Sequence, residues 1–480
     1  MKKYKLFFLS LILFSSCSKS LVENPKSFLS PGEFFQSDAE AIQGVNGAYS
    51  TCYFLYGSGT TYDLGYWSSE GAGIATPTGG RSSTFDFLTY TLSTADEGNL
   101  DNIWQTLYQG VANCNTVISG VSNNSHISSA TQAQVMGQAL FLRSLYYYWL
   151  TCYWGDVPMW LNALDVSVVG GALPRVAVDT VRQQMIRDLT VAATDLPPVW
   201  TGADLGRASK WAAEMLLCKF YLWEKDWTHA KAVAGDIIAQ NGGSNHLLPH
   251  YGDIWGQANE YNAEDIWEID FTQNTHQTAF SDRYMPRQVD EPVVPGFTMT
   301  GYGLVTATPH FLASFDPNDL REPWYDWHGN GTINTNFHYV FKQMDWGEPR
   351  GNSGLNSIVY RMADAYLMYA EAENELNGPT DDAYSKINPI RERAGLADLQ
   401  GLSQDQLRLA VRNERLWELS FEFQNRWDLN RWGTLVEAVQ ADSVSNPTGA
   451  ANVRSYHMLC PVPSQEILLN PALTQNLGYN

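Results

Sequence analysis

A chain of 480 residues with a formal net charge of −21 has too few Lys and Arg to neutralise a phosphate backbone, which excludes nucleic acid as a main partner. Its 44% hydrophobic content is ample for a large core, and the acidity leaves neutral sugars and peptides open as ligands. No segment beyond the N-terminus runs apolar for the roughly eighteen residues of a membrane span, so no transmembrane helix is expected.

The chain begins with Lys2, Lys3 and Lys5, followed by the apolar run LFFLSLILF from Leu6 to Phe14. That run has the length of a signal-peptide core. Ser15-Ser16-Cys17 follows, resembling a bacterial lipobox. Cleavage before Cys17 and acylation of its thiol and new amino group are expected. Residues 1–16 are read as signal peptide, 17–37 as a lipidated tether and 38–480 as one domain. Cys52, Cys114, Cys152, Cys218 and Cys460 remain. Their odd number and wide spacing fit neither a metal motif nor a dense disulfide framework, and they read as small buried hydrophobes.

Helical periodicity marks segments near 38–56, 99–120, 129–153, 178–194, 207–224 and 227–241. Others lie near 360–377, 380–394, 404–420 and 425–440. Short connections pair most of them into antiparallel hairpins. In RASKWAAEMLLCKFYLWEKDWTHAKAVAGDIIAQNGG, Leu217, Cys218, Tyr221 and Ala230 take the large, small, aromatic and small positions of a tetratricopeptide hairpin. Residues 361–394 repeat the theme around a Gly378-Pro379 break. Two long regions, about 57–98 and 242–358, lack this period. Within the second, DIWEIDF (Asp265–Phe271) alternates like a short strand. Insertions of this size in a compact domain are usually functional.

On a helix over 361–377, Arg361, Asp364, Met368, Glu371 and Glu375 share one stripe. Buried acids need cationic partners, and Arg391, Arg393, Arg412, Arg415, Arg426 and Arg431 supply them downstream. The same segment carries Glu414, Glu418, Glu422 and Asp428. An ion-pair scaffold is therefore expected in preference to a pair of glycosidase acids. No nucleotide, metalloprotease or nucleophile-elbow motif is present. His246 and His250 read as loop histidines. Asp316, Asn318 and Asp319 read as a turn in preference to a Ca²⁺ site. No metal and no cofactor are expected.

Sugars present apolar C–H faces ringed by hydroxyls, so loop aromatics beside acids and amides suit their capture. REPWYDWHGN offers Trp324, Tyr325 and Trp327 with Asp326, His328 and Asn330. TYDLGYWSSE offers Tyr66 and Trp67 with Asp63, and Arg81 follows. Tyr302 and Trp346 complete the candidate ligand-binding set. Trp104, Trp211, Trp223, Trp417 and Trp432 fall on helical periodicity and are expected in the core.

Six motifs in order resemble the SusD/RagB family. They are LYYYWLTCYWGDVPMW (Leu145–Trp160), GRASKWAAEMLLCKFYLW (Gly206–Trp223), YRMADAYLMYAEAENELNG (Tyr360–Gly378), INPIRERAGL (Ile387–Leu396), VRNERLWELSFEFQNRWDLNRWG (Val411–Gly433) and CPVPSQEILLNPALTQNLGYN (Cys460–Asn480). Met362, Phe423 and Leu477 depart from the usual Tyr, Gly and Pro. The resemblance implies an all-α fold of tetratricopeptide-like helical repeats, with long irregular loop-rich insertions and a few short strands. It implies a non-enzymatic lipoprotein on the outer-membrane surface of Bacteroidota, anchored through Cys17. The implied ligand is an oligosaccharide, with peptide as the alternative, and the implied partner is a SusC-like TonB-dependent transporter.

Overall fold

The computed structural model describes residues 34–57, 64–77, 86–92, 98–163, 172–239, 246–286, 301–328, 336–345 and 350–479. The expected signal peptide, Cys17 and most of the tether lie outside them. Helix α1 spans Asp38–Gly57 and the short α2 spans Leu64–Ser69. Then come α3 (Gly98–Val121), α4 (Ser129–Trp154), α5 (Val178–Asp195), α6 (Lys210–Trp223) and α7 (Trp227–Ala239). Past the one-turn α8 (Pro309–Leu312), helices resume with α9 (Met362–Asn377), α10 (Asp381–Arg393), α11 (Gln404–Leu419), α12 (Asn425–Trp432) and α13 (Leu435–Ala441). The fold is all-α with tetratricopeptide-like hairpins, as expected.

Successive helices pack in a chain: α1 on α3, α3 on α4, α4 on α5, α5 on α6, α6 on α7, α7 on α9, and α9 on both α10 and α11. Helix α4 starts where the Ser128 hydroxyl accepts the Thr131 amide, and it ends at Gly155 in a positive-φ conformation. From Gly137 to Trp154 every residue is buried, as befits a helix apolar on all sides. Gly110 lets α3 approach it: a Cβ there would lie 2.6 Å from the Tyr146 ring. In the α6–α7 hairpin, Cys218 and Ala230 are fully buried, and the Cys218 thiol donates to the Ala230 carbonyl at 3.3 Å. All five described cysteines are unpaired and buried.

Two boundaries differ from expectation. Tyr360 and Arg361 belong to a strand, so α9 begins at Met362. The expected helix over 425–440 breaks at Gly433, whose left-handed conformation (φ 73°) lets its N–H bond to the Asn430 and Leu429 carbonyls.

Strand β2 (Asp265–Ile269), expected from its alternation, pairs antiparallel with β5 (Ser357–Arg361). A second sheet has the order β1 (Ala75–Pro77), β3 (Val305–Ala307), β4 (His338–Tyr339), all antiparallel. Its strands are too short to leave a period in the sequence.

The acidic stripe of α9 is scaffold. Asp364, wholly buried, accepts from Lys219 at 2.6 Å and Arg415 at 2.8 Å. Arg415 also reaches Asp428, and Arg431 joins Asp428 to Glu371. Three cations meet three anions there. Behind it lies a larger network. Arg361 binds Glu264, Glu418 and Glu422 at 2.9, 2.6 and 2.7 Å. Arg321 binds Asp319, Glu414 and Glu418, while Arg393, Arg391 and Lys342 complete the balance. Asp319 is thus held by Arg321, and Asp316 caps its own turn at the Asn318 amide. Two of the expected arginines do other work. Arg412 stacks on Trp432, and Arg426 donates to the His457 carbonyl. Cations from outside that set, Lys219, Lys231 and Arg408, hold Asp364, Glu373 and Glu375.

Removing one member of a buried ion network leaves its partners charged and unanswered. Arg361→Met is expected to cost about 3–5 kcal/mol in urea denaturation. Arg408→Met, in a partly exposed pair, is expected to cost under about 1 kcal/mol. Equal losses would mean that the buried network contributes no more than a surface pair.

Candidate functional site

The three-stranded sheet joins chain segments that neighbour several of the candidate residues. Strand β1 follows directly on the segment carrying α2, β3 follows Tyr302 by three residues, and β4 bonds on through an antiparallel bridge between Tyr339 and Trp327. Segments more than two hundred residues apart therefore become neighbours through pairs such as Thr76 with Thr306.

Along its last strand the sheet carries an aromatic wall. The Trp324 and Phe341 rings are 5.0 Å apart, and Phe341 and Trp327 are 5.5 Å apart. Trp324 and Trp327 are both half-buried. Gly252 makes room for the first, because a Cβ there would meet the Trp324 ring at 2.7 Å. Asp326 lies between the two tryptophans in sequence and takes hydrogen bonds from His328 and His338. Tyr302 is half-buried, with the exposed Arg350 guanidinium 5.0 Å over its ring.

Tyr325 corrects an expectation. It is wholly buried, its hydroxyl donates to the Trp417 carbonyl at 2.8 Å, and it takes the Lys342 ammonium at 3.0 Å. It is a core residue beneath the wall, and burial holds the Lys342 amine down to about 8. Asp63, Arg81 and Trp346 lie outside the described residues, and of Tyr66 and Trp67 only the backbone, on α2, is described. Among the tryptophans expected in the core, Trp104 and Trp211 are buried; Trp223, Trp417 and Trp432 are half-buried.

Sequence reasoning missed a groove of about 560 Å³ between α1, the 203–207 loop and β2. Tyr53, the exposed Phe54, His276, Arg207 and Asp270 line it. Behind it three acids gather at Asn356, whose amide groups donate to Glu260 at 2.9 Å, Glu268 at 2.9 Å and Asp270 at 3.4 Å. Burial pushes Asp270 up to about 6 and Glu260 up to about 7, with the charges of Glu268 and Asp270 adding to the latter. The only sequence signal was the run of acids around DIWEID.

Comparison with known proteins follows the same lines. The SusD family profile matches residues 318–479, and a profile described as "Starch-binding associating with outer membrane" matches 80–222. SusD-like protein P25 of Formosa agariphila is 32% identical, with 97% of this chain and 96% of that protein covered. The chain belongs to the SusD family. A SusD superfamily crystal structure from Bacteroides vulgatus superposes with a TM-score of 0.80 at 22% identity, covering 93% of this chain and all of that one. A structure described as a laminarin binding SusD-like protein gives 0.78 at 23%, covering 92% and 100%. Both share the SusD fold. The two profile matches leave out 223–317, the stretch that holds Tyr302, Asp270 and His276. In this SusD family member the candidate residues Trp324, Tyr325, Trp327 and Trp346 fall within the 318–479 match, whereas Tyr302 and the groove acids lie between the two matches.

A carboxyl whose native pKa is raised holds a proton that the unfolded chain has already released. Its stabilising contribution is complete below the unfolded value and is lost as pH rises through the native one. For Glu260 that window runs from the ordinary carboxylate range to about 7. Glu260→Gln is therefore expected to match the parent Tm at pH 5 and exceed it at pH 8. A difference that does not grow with pH would contradict a protonated Glu260 at the lower pH.

Proposed function

We propose that this SusD family protein captures glycan at the cell surface, without cleaving it, and passes it to a SusC-like TonB-dependent transporter. One observation carries the reading. The β1–β3–β4 sheet links segments next to the aromatic loops, and at its β4 edge Trp324, Phe341 and Trp327 form an aromatic wall. Flat rings take up sugar C–H faces. The laminarin-binding relative supports a glycan as ligand. Tyr302, Tyr66, Trp67, Asp63, Arg81 and Trp346 are the further proposed ligand-binding set.

Hydrolysis by the buried acid cluster of α9 and α11 is disfavoured by its chemistry. Asp364 and Glu418 are pushed up by burial but held well below the usual carboxylate range by Lys219, Arg415 and three further arginines. Such groups stay ionised and cannot donate a proton to a leaving oxygen.

Calorimetry with a panel of oligosaccharides, laminarin fragments included, tests the ligand class. Trp324→Ala and Trp327→Ala are each expected to weaken the best ligand about tenfold, a loss of about 1.4 kcal/mol. Tyr325→Phe should leave affinity unchanged, and the glycan should be recovered intact. Full binding by the double tryptophan variant would refute the site.

Attachment and delivery are tested in cells. Cys17→Ala is expected to move the protein from the outer-membrane fraction to the soluble one. The unaltered protein is expected to co-purify with a large outer-membrane barrel. Membrane retention of the Cys17 variant would exclude the lipid anchor.

A further inference from the structure

The sheet edge holds a second chemistry that neither sugar capture nor the family requires. Trp327 and Tyr339 face each other across an antiparallel bridge. Side chains alternate along a strand, so residues next to this pair point to the opposite face. Asp326 and His328 flank Trp327, and His338 precedes Tyr339, directly across from His328. All three therefore project from one face. His328 Nε2 and His338 Nδ1 both lie 2.7 Å from the same Asp326 oxygen, Oδ1. All three ligand atoms fall within 4.8 Å of one another, and the two imidazole centroids are 5.7 Å apart.

We propose that Asp326, His328 and His338 form a binding site for a divalent transition metal of the zinc class. Two imidazoles and a carboxylate are the donor set such an ion prefers over Ca²⁺ or Mg²⁺, which take oxygen. Ligand atoms around tetrahedral zinc lie about 3.3 Å apart, given bonds of about 2.0 Å. Seating the ion needs the two 2.7 Å contacts to widen by about 0.6 Å and the two ring nitrogens, now within 4.8 Å of one another, to take the same separation, shifts that side-chain rotation supplies.

The frame is already in place. The Trp327 amide donates to the Tyr339 carbonyl at 3.0 Å, the Asp326 amide donates to the Glu322 carbonyl at 3.1 Å, and β4 is paired with β3. Each ligand is only partly exposed, with 23–28% of its side chain accessible. Three protein ligands leave at least one coordination position for water or another donor. The metal would cross-link the 326–328 segment to β4. Its place in the sequence is Asp-x-His followed by a lone His ten residues on, a spacing outside the common zinc motifs.

The test uses tag-free protein stripped with chelator and titrated with ZnCl₂ by calorimetry, with CaCl₂ and MgCl₂ as comparisons. Elemental analysis after gel filtration should find about one zinc per chain, a raised Tm, and no response to the other two ions. His328→Ala and His338→Ala should each abolish the uptake, while His310→Ala, at an exposed histidine elsewhere, should retain it. Titration of the unaltered chain with Co²⁺ gives a readout independent of any variant's folding: visible d–d absorption, lost on adding zinc, is expected. No zinc uptake, absent cobalt bands, or undiminished uptake by the double histidine variant would overturn the proposal. None of these readouts depends on glycan binding.

Discussion

Taking a guanidinium out of water costs several kcal/mol unless its charge and donors are answered in place. Arg361 is answered by three carboxylates from two separate parts of the chain: Glu264 before β2, and Glu418 and Glu422 at the end of α11 and just beyond it. The residue itself sits where β5 hands over to α9. One side chain therefore fixes the angle between the small β2–β5 sheet and the C-terminal helices. Arg321 and Arg393 share Glu418 with it, so the loop before the aromatic wall is tied to the same point. Such an arrangement is not the cheapest way to hold a core together. It does specify one geometry, since no alternative packing satisfies so many charges at once.

That specificity matters because the wall itself has little regular structure. Trp324 and Trp327 lie on a one-turn helix and a single bridge. Beneath them Tyr325 turns inward, and its hydroxyl sits between Lys342 and the end of α11. Lys342 in turn binds Glu422, the partner of Arg361. The tyrosine beneath the surface aromatics is thus linked to Arg361 through Lys342 and Glu422. A rigid scaffold carrying variable loops is the usual division of labour in binding proteins.

The helices could be read from the sequence because an apolar face repeating every three to four residues is a local property. Breaks hidden from that period, such as the one at Gly433, depend on a single backbone conformation. The acids of α9 were recognisable as structural, since a buried acid must find a cation. Which cation was not: Asp364 found Lys219 on α6, 145 residues away in sequence, a pairing set by packing order. In the loops the limit was sharper. Tyr325 and Trp327 are two residues apart with opposite fates, and no periodicity exists there to distinguish inward from outward. Strands of two or three residues leave no pattern, so the sheet that assembles the site, and the face shared by Asp326, His328 and His338, became visible only in three dimensions.

The five described cysteines have a consequence of a different kind. Burial pushes the thiols of Cys52, Cys152, Cys218 and Cys460 up to about 12. Only roughly one such thiol in a hundred thousand is then thiolate at neutral pH, the form that attacks disulfides and oxidants. Proteins of oxidising compartments often gain stability by crosslinking themselves there. This one uses its cysteines as packing atoms, so the described helices can assemble equally well in a reducing or an oxidising compartment. Its folding makes no demand on a disulfide-forming enzyme at these positions, and its durability rests on interdigitated side chains and enclosed charge.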